Sequence, residues 1–494
     1  MKKIYSLALI ALLATSCSDD TMDNINKDNA NPPADKVPAY LQITDAIMST
    51  GFTTTSGAYA WYLSSITEQE IGSGNNQLMK VEMRNANELA ASSTYNNEWN
   101  GTYGNLMNLK QIIDKVKEGS GTTDDGQLDL LGMAQVLTAI NYGVLTDLHG
   151  DIPCSEALQG LDNLQPNLDK QEDVYKYIFA TLESAIDNIS KAREEEMENV
   201  GSQDILYGND MEQWQAAANA VMARYKLHTL YRNPAVLDEV IDYANKAVNL
   251  GFKGMYITTF NGITCDNPWS AYVWSRYYTA CSSTVYKIME ATSDPRADGY
   301  CLFDVGEDEP DWQYVACDPG DEATAKESAW PFYPVWIDYS PSVQVMSEAE
   351  LYFILAEAYM RKGNVDDAHM YFNDAVRAAF GDLENIYGVD FGADDFLAQW
   401  SEGITLSDIM AQKYVSQIRD EQIETYNDLR RCAALGEEHI TLTNPYNTQS
   451  GINRWPLRLP YGNSGVISNS NIKAAYGDGS YIFTEKIWLY GGTR

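Results

Sequence analysis

The stretch that most constrains the fold is a pair of helical patterns joined by a short turn, which spans residues 347–381. Its first half repeats apolar residues at the spacing of one helical face. Ser347 and Glu350 form the S-x-x-E pattern that is typical of a helix N-terminus. Gly363 can end this helix in a left-handed turn, and a second apolar stripe follows it. The stretch therefore predicts two helices packed side by side.

The second stripe places small residues at Ala368 and Ala375 around the large Phe372, which is the packing pattern of a tetratricopeptide repeat. Weaker copies of the helical spacing occur at about 95–250. Roughly four helix pairs exceed the three or so repeats that a solenoid needs for stability. We therefore predict a mainly α fold, a tetratricopeptide-like helix-pair superhelix with a loop-rich ligand-binding face and a few short strands.

Two segments, at about 251–346 and 437–480, have no sustained period and are rich in glycine, proline, asparagine and aromatic residues. In a repeat protein, long insertions of this kind gather on one side and often form the binding face. We expect them to belong, with the helix pairs at 95–250 and 347–380, to a single domain over residues 41–494.

The first 40 residues follow a different pattern. Two lysines precede a short apolar run that is too short to span a bilayer, so residues 1–16 read as a cleaved export signal. The run ends at Ala14-Thr15-Ser16-Cys17, which resembles a lipobox, and we predict a lipid anchor on Cys17. Residues 17–40 are polar and contain a Pro-Pro pair, so we expect a flexible tether. The acidic residues after Cys17 resemble the signal that sends some lipoproteins to the exterior of the outer membrane.

The mature chain is strongly acidic. Removal of the signal, which holds two lysines and no acid, takes the formal net charge from −36 to −38. Such a charge argues against nucleic acid and anionic lipid surfaces as partners. Past the signal the sequence contains no obvious 18-residue apolar run, so we expect the mature part to be soluble.

No catalytic or metal-binding motif stands out. The four histidines lack H-E-x-x-H spacing, and no nucleophile elbow, Walker loop or dinucleotide fingerprint is present. The cysteines lack C-x-x-C spacing, although Cys301 and Cys317 could pair in an oxidising compartment. The acidic run at 304–311 does not match an EF-hand loop and fits a solvated loop better. We expect a protein without catalytic residues, metal or cofactor.

Aromatic residues offer the best candidates for ligand contact. Tyrosine (33) far outnumbers phenylalanine (12), and tyrosine and tryptophan suit half-wet recognition surfaces. Sugars stack an apolar face on such rings while polar side chains bond their hydroxyl groups. Three segments, 58–65, 267–278 and 329–336, combine both types, and the candidate ligand residues in them are Trp61, Tyr62, Trp269, Tyr272, Trp274, Trp330 and Trp336.

Several strings along the chain, each in the place where the family has its own, resemble the SusD/RagB family. They are GNDMEQWQAAANAVMARYKLHTLYR at 208–232, LHGDIPCSEAL at 148–158, DPR at 294–296, EAELYFILAEAYMRKG at 348–363, QKYVSQIRDEQIETYNDLRR at 412–431 and RLPYGNS at 458–464. Two departures are Cys154, where an aromatic residue is usual, and the shortened last string.

The resemblance implies a surface lipoprotein of the outer membrane that binds glycans, or in some cases peptides. It also implies that the protein acts as a lid on a TonB-dependent transporter of the SusC type. We therefore expect capture of oligosaccharides for such a transporter. Two alternatives stay open: peptide capture on the same scaffold, and a secreted hydrolase with an unrecognised site.

Overall fold

The computed structural model describes residues 37–74, 77–276, 279–306, 309–321, 341–447 and 454–494. Helices dominate this part of the chain. The helices are α1 (Tyr40–Ser49), α2 (Ala58–Ile66), α3 (Gln77–Glu82), α4 (Ala86–Leu89), α5 (Asn96–Val116), α6 (Leu128–His149), α7 (Gln171–Glu194), α8 (Met211–His228), α9 (Leu237–Asn249), α10 (Pro268–Arg276), α11 (Ser283–Ala291), α12 (Arg296–Tyr300), α13 (Glu348–Arg361), α14 (Val365–Tyr387), α15 (Ala393–Leu397), α16 (Leu406–Ser416), α17 (Gln422–Leu435), α18 (Asn463–Ser468) and α19 (Ser470–Tyr476).

The long helices pack on one another in chain order. Helix α5 packs on α6, α6 on α7, α7 on α8 and α8 on α9; α9 then contacts α13, which packs along α14. Helix α16 packs against α13, and helix α17 packs against α2. The prediction of a mainly α, tetratricopeptide-like helix-pair superhelix is confirmed.

The predicted pair at 347–381 forms α13 and α14. Gly363 lies between them with a φ of 78°, the left-handed conformation expected of a turn glycine. Ala368, Phe372 and Ala375 are all fully buried, as their repeat-like spacing predicts. Small side chains at two of these positions let the helices approach closely.

The start of α13 differs from the predicted capping box. The Ser347 hydroxyl accepts the backbone N–H of Glu350 at 3.0 Å, as predicted. The Glu350 carboxylate, however, pairs with Arg224 of α8 instead of returning to Ser347. Glu421 accepts the Ser347 backbone N–H in its place, at 2.6 Å. A buried cation therefore outcompetes the local cap for the Glu350 carboxylate.

In the described residues, three short antiparallel strand pairs lie beside the helices. β1 (Glu70–Gly72) pairs with β3 (Thr279–Cys281), β2 (Met255–Ile257) with β6 (Val343–Met346), and β4 (Leu302–Asp304) with β5 (Trp312–Tyr314). Most of these strands lie in the segment predicted to be loop-rich. They fix its otherwise irregular backbone to the helical body.

Helix α6 is long and apolar enough to cross a membrane by length and composition, and 89% of its most apolar window is buried inside the fold. It contacts α5 and α7 along its length, so its apolar character is explained by its central place in the core.

The six cysteines in the described residues are free thiols, including Cys301 and Cys317. The pairing considered from sequence is therefore absent here. In the acidic run, the Asp304 carboxylate accepts the backbone N–H groups of Gly306 and Asp311, at 3.0 and 2.8 Å. This carboxylate thus supports the β4–β5 turn.

One buried side chain links distant parts of the chain. Arg84 is fully buried, and its Nε donates to the carbonyl oxygen of Pro445 at 2.8 Å. Its other nitrogens donate to carbonyl oxygens of Ser65, Ile66 and Val81, at 3.3, 3.3 and 3.0 Å. The guanidinium therefore joins the end of α2, the end of α3 and a loop near the C-terminus.

Candidate functional site

Helices α2 and α10 bring three of the predicted aromatic residues together. Trp61 on α2 stacks on Tyr272 of α10, with ring centroids 4.2 Å apart and planes inclined by 22°. Trp269 meets the edge of Trp61 at 6.3 Å. Trp61 and Tyr272 are half-buried, whereas Trp269 is fully buried with Val273 in the core beneath. The predicted contact of Trp269 with a ligand stays a prediction, and in this structure its ring is enclosed by the core.

Trp274 lies on the side of α10 opposite to Tyr272. The two residues are two positions apart, and such residues in a helix point in nearly opposite directions. The Trp274 side chain is 55% exposed. It lines a cavity of about 1040 Å³, here called the Trp274 cavity, together with Ser270 one turn earlier. Residues of β2, the loop at 258–266, α14 and Arg419 complete the walls.

The polar groups of the Trp274 cavity are held in place by one another. The Tyr256 hydroxyl donates to both oxygens of the Asp382 carboxylate at 3.0 Å, and Gln344 Nε2 donates to one of them at 3.2 Å. Burial raises the pKa of Asp382 to about 6, although the nearby Arg419 opposes the rise. The Asp382 carboxyl group therefore accepts hydrogen bonds and has a pKa close to neutral pH.

Arg419 contributes a donor without an acceptor. Its Nη2 donates to the carbonyl oxygen of Ser342 at 3.3 Å. Its Nε is buried and has no hydrogen-bond partner within the part of the chain that the structure describes. An unpaired buried donor costs free energy, and this nitrogen is enclosed, so a ligand oxygen would reach it only after a movement of the surrounding groups.

The combination suits recognition more than chemistry. A flat exposed ring stands beside an arginine, a carboxyl group and a tyrosine hydroxyl, and Asn261 and Asp266 lie on the same wall. Rings of this type stack on apolar faces, while the polar groups bond hydroxyl groups. None of the described residues that line this cavity is a histidine or a cysteine.

The other predicted residues are scattered. Tyr62 points away from Trp61 and meets the edge of Tyr95 at 5.1 Å, half-buried near α5. Trp330, Trp336 and Cys17 lie outside the described residues.

Sequence reasoning missed Tyr256, Asp382 and Arg419. Asp382 lies on a helix and Arg419 just after one, and in sequence an isolated charge at such a position is expected to face solvent. The one available signal is Asp382, a charged residue on a partly buried position of α14. It can be recognised only after the buried face of α14 has been assigned.

Fold and cavity together define a class of helical-repeat proteins with an aromatic-bearing cleft. The chain belongs to the SusD-like family described as starch-binding and associating with the outer membrane, whose pattern matches residues 45–458. No curated protein matches the chain.

Solved structures with this fold include a SusD/RagB family protein from Bacteroides thetaiotaomicron, at 29% identity and a TM-score of 0.81, covering 93% of this chain and 100% of that one. A SusD homologue from Bacteroides fragilis has 20% identity and a TM-score of 0.72, covering 92% and 100%. A SusD homologue from Flavobacterium johnsoniae, described as chitin-binding, has 19% identity and a TM-score of 0.70, covering 91% and 98%.

Proposed function

We propose that this protein is a cell-surface lipoprotein that captures neutral oligosaccharides in the Trp274 cavity and delivers them to a TonB-dependent outer-membrane transporter. The observation that carries the proposal is the half-exposed Trp274 ring in the same cavity as the polar side chains of Arg419, Asp382 and Tyr256. A sugar ring supplies both complements, an apolar face for the indole and hydroxyl oxygens for the guanidinium.

The family supports a glycan as the ligand. Its description is starch-binding, and the Flavobacterium johnsoniae homologue is described as chitin-binding. Both are polymers of neutral sugars. The net charge of −36 repels polyanionic glycans, which favours the neutral classes.

The proposed address follows from the N-terminus and the family. Residues 1–16 direct export, Cys17 carries the lipid, and residues 17–40 form the tether that holds the domain at the outer face of the outer membrane. The family association with the outer membrane supports this placement. A SusC-like transporter is the proposed partner, because a tethered binding domain has a use only where its cargo is taken up.

Binding without turnover is the proposed activity. The Trp274 cavity has acidic side chains at Asp266, Glu348 and Asp382, but Glu348 is paired with Lys253 at 3.0 Å and Asp382 is held by Tyr256. Glycoside hydrolysis needs two carboxyl groups free to act on opposite sides of one bond. These contacts favour a binding role for the carboxyl groups.

Calorimetry of the purified mature protein against a panel of oligosaccharides and peptides tests the proposal. We expect heat with a class of neutral oligosaccharides, little change of affinity at high salt because no charge pair is screened, and no new reducing ends over time. Heat with peptides alone would establish the peptide alternative, and accumulating reducing ends would establish a hydrolase.

The transporter partnership has its own test. The protein is extracted from outer membranes in mild detergent and isolated through an affinity tag at the C-terminus. We expect a TonB-dependent transporter to co-purify in stoichiometric amount. Isolation of the lipoprotein without any transporter would contradict the partnership and leave the binding proposal standing.

A further inference from the structure

A second cavity lies between α17 and the C-terminal segment. Its volume is about 770 Å³, and aromatic rings of Tyr414, Tyr446, Trp455 and Phe483 line it. The residues that line it differ from those of the Trp274 cavity, so nothing in the proposed glycan site uses it. We call it the α17 cavity.

Three side chains with metal-ligating atoms meet on its wall. The Cys432 sulfur, a Glu437 carboxylate oxygen and a His439 ring nitrogen all lie within 4.8 Å of one another. All three residues line the α17 cavity. Cys432 is on the last turns of α17, and Glu437 and His439 follow just after the helix ends. The chain turn at Gly436, with a φ of 78°, brings the loop back over the helix.

The spacing of these atoms suits a tetrahedral zinc. Nitrogen, oxygen and sulfur ligands at about 2.0–2.3 Å from zinc stand about 3.3–3.6 Å apart in a tetrahedron. Here His439 Nε2 and Glu437 Oε2 are 3.1 Å apart and form a hydrogen bond, which a metal ion between them would replace. The Cys432 sulfur lies within 4.8 Å of both atoms, so the loop after α17 has to adjust for all three to coordinate one ion.

The surrounding contacts orient the ligands. His439 Nδ1 lies 3.0 Å from the Ser407 hydroxyl oxygen. When Nδ1–H donates to that oxygen, Nε2 presents its lone pair towards Glu437, which is the tautomer that metal-binding histidines adopt. Arg361 donates to both oxygens of Glu437 at 2.8 Å. A carboxylate has about four lone-pair positions, so this pairing leaves room for a metal.

We propose that Cys432, Glu437 and His439 form a binding site for a divalent transition-metal ion of the zinc type. Thiolate, imidazole and carboxylate are the ligands that zinc takes in proteins. On binding, the Cys432 thiol releases its proton to solvent and the sulfur donates an electron pair to the metal. Three protein ligands leave one coordination position of a tetrahedral ion for a water molecule or a ligand atom.

The test uses the mature protein after removal of metals with a chelator, titrated with Zn²⁺ by calorimetry and with Co²⁺ by absorption spectroscopy. We expect one equivalent of each metal to bind, and the Co²⁺ form to show a thiolate charge-transfer band together with the intense visible bands of tetrahedral cobalt. Absence of binding, or a Co²⁺ spectrum without thiolate, overturns the proposal.

Variants distinguish this site from unspecific binding. Cys432→Ala and His439→Ala should each weaken Zn²⁺ binding by more than the roughly 10- to 100-fold that loss of an outer-shell partner costs, and Ser407→Ala should fall within that range. Cys154→Ala and His369→Ala remove the same residue types elsewhere and should bind as the wild type does. His439 is half-buried on a loop, so its variant tests the site even if Cys432→Ala unfolds. Equal affinity in the His439 variant and its control overturns the proposal.

Discussion

Arg224 and Glu350 form a buried ion pair that joins α8 to α13. Nε of Arg224 donates to Oε1 of Glu350 at 2.8 Å, and its Nη2 donates to Oε2. The two side chains are almost inaccessible to solvent. Glu421 lies beside them, and both its burial and the Glu350 carboxylate raise its pKa well above the usual range. The helices before and after the long loop-rich segment are thus held together by charge as well as by packing.

Loss of one partner of the Arg224–Glu350 pair should destabilise the fold far more than replacement of both partners by apolar residues. We expect Glu350→Ala to lower the free energy of unfolding by about 3–5 kcal/mol, because it leaves the Arg224 charge buried and poorly paired. The double change Arg224→Met with Glu350→Leu should recover most of the loss. Denaturant unfolding measures both. Asp187→Ala, which breaks the exposed pair with Lys191, should change stability by less than about 1 kcal/mol.

His228 should make stability depend on pH. Burial disfavours its charged form, but Glu424 at 2.8 Å and Asp147 at 3.1 Å raise its pKa to about 9. An unfolded histidine has a pKa of about 6.5, so the native chain binds the extra proton between these values. The stabilisation is complete below pH 6.5 and is lost as the pH rises to about 9, roughly 3 kcal/mol in all.

Unfolding measured across this pH range should show the decline in the wild type and a flatter curve for His228→Gln. The variant is expected to be less stable at pH 6 and closer to the wild type at pH 9. Parallel curves for the two proteins would show that another group titrates there.

The packing of α6 against α8 depends on a missing methyl group. A Cβ at Gly143 would lie 2.1 Å from Cζ of Tyr225, which is fully buried and cannot swing away. Gly143→Ala should therefore destabilise the fold by about 1–3 kcal/mol despite the better helix propensity of alanine. In α5, a Cβ at Gly104 meets nothing within 4 Å, so Gly104→Ala should stabilise by up to about 1 kcal/mol. Thermal melting of the two variants compares them directly.

Two exposed tryptophans, Trp274 on α10 and Trp312 on β5, make a matched pair of variants for the proposed glycan site. A ring stacked on a flat ligand contributes about 1–3 kcal/mol, so Trp274→Ala should weaken oligosaccharide binding about 10- to 100-fold. Trp312→Ala removes a ring that is 62% exposed on β5 and should leave affinity unchanged. Calorimetry with the best ligand of the panel decides the matter. Loss of binding in Trp61→Ala with none in Trp274→Ala would move the site to the Trp61–Tyr272 stack.

Cys17 is the proposed anchor, and its loss should change location without changing the fold. We expect Cys17→Ala to appear in the soluble fraction, to take up no labelled fatty acid, and to melt at the temperature of the soluble mature domain. The reason is that residues 17–40 are too polar to contribute to a core. Fatty-acid labelling of Cys17→Ala equal to the wild type would refute the anchor.

The parts of the fold with a strong local pattern were predictable from sequence. Ser347, Gly363 and Phe372 behave as their spacing indicates, because caps, turns and helix faces depend on neighbours a few residues away. The fate of Glu350 was not predictable, because its partner Arg224 is 126 residues distant.

The same limit applies to the candidate site. Trp269 and Trp274 look alike in sequence, and only the orientation of α10 sends one ring into the core and the other into a cavity. Asp382 lies on α14 and Arg419 lies between α16 and α17, so only tertiary packing brings them together. No pattern within one segment marks them as neighbours.

The Arg84 contacts bear on the order in which the chain becomes native. Residues 65–84 are made early and Pro445 near the end, yet one buried guanidinium donates to carbonyl oxygens from both. Until Pro445 arrives, the Arg84 Nε–H remains without that acceptor, and burial of the cation is costly. The buried contacts of Arg84 are therefore complete only when the segment around Pro445, about fifty residues from the end of the sequence, has been made.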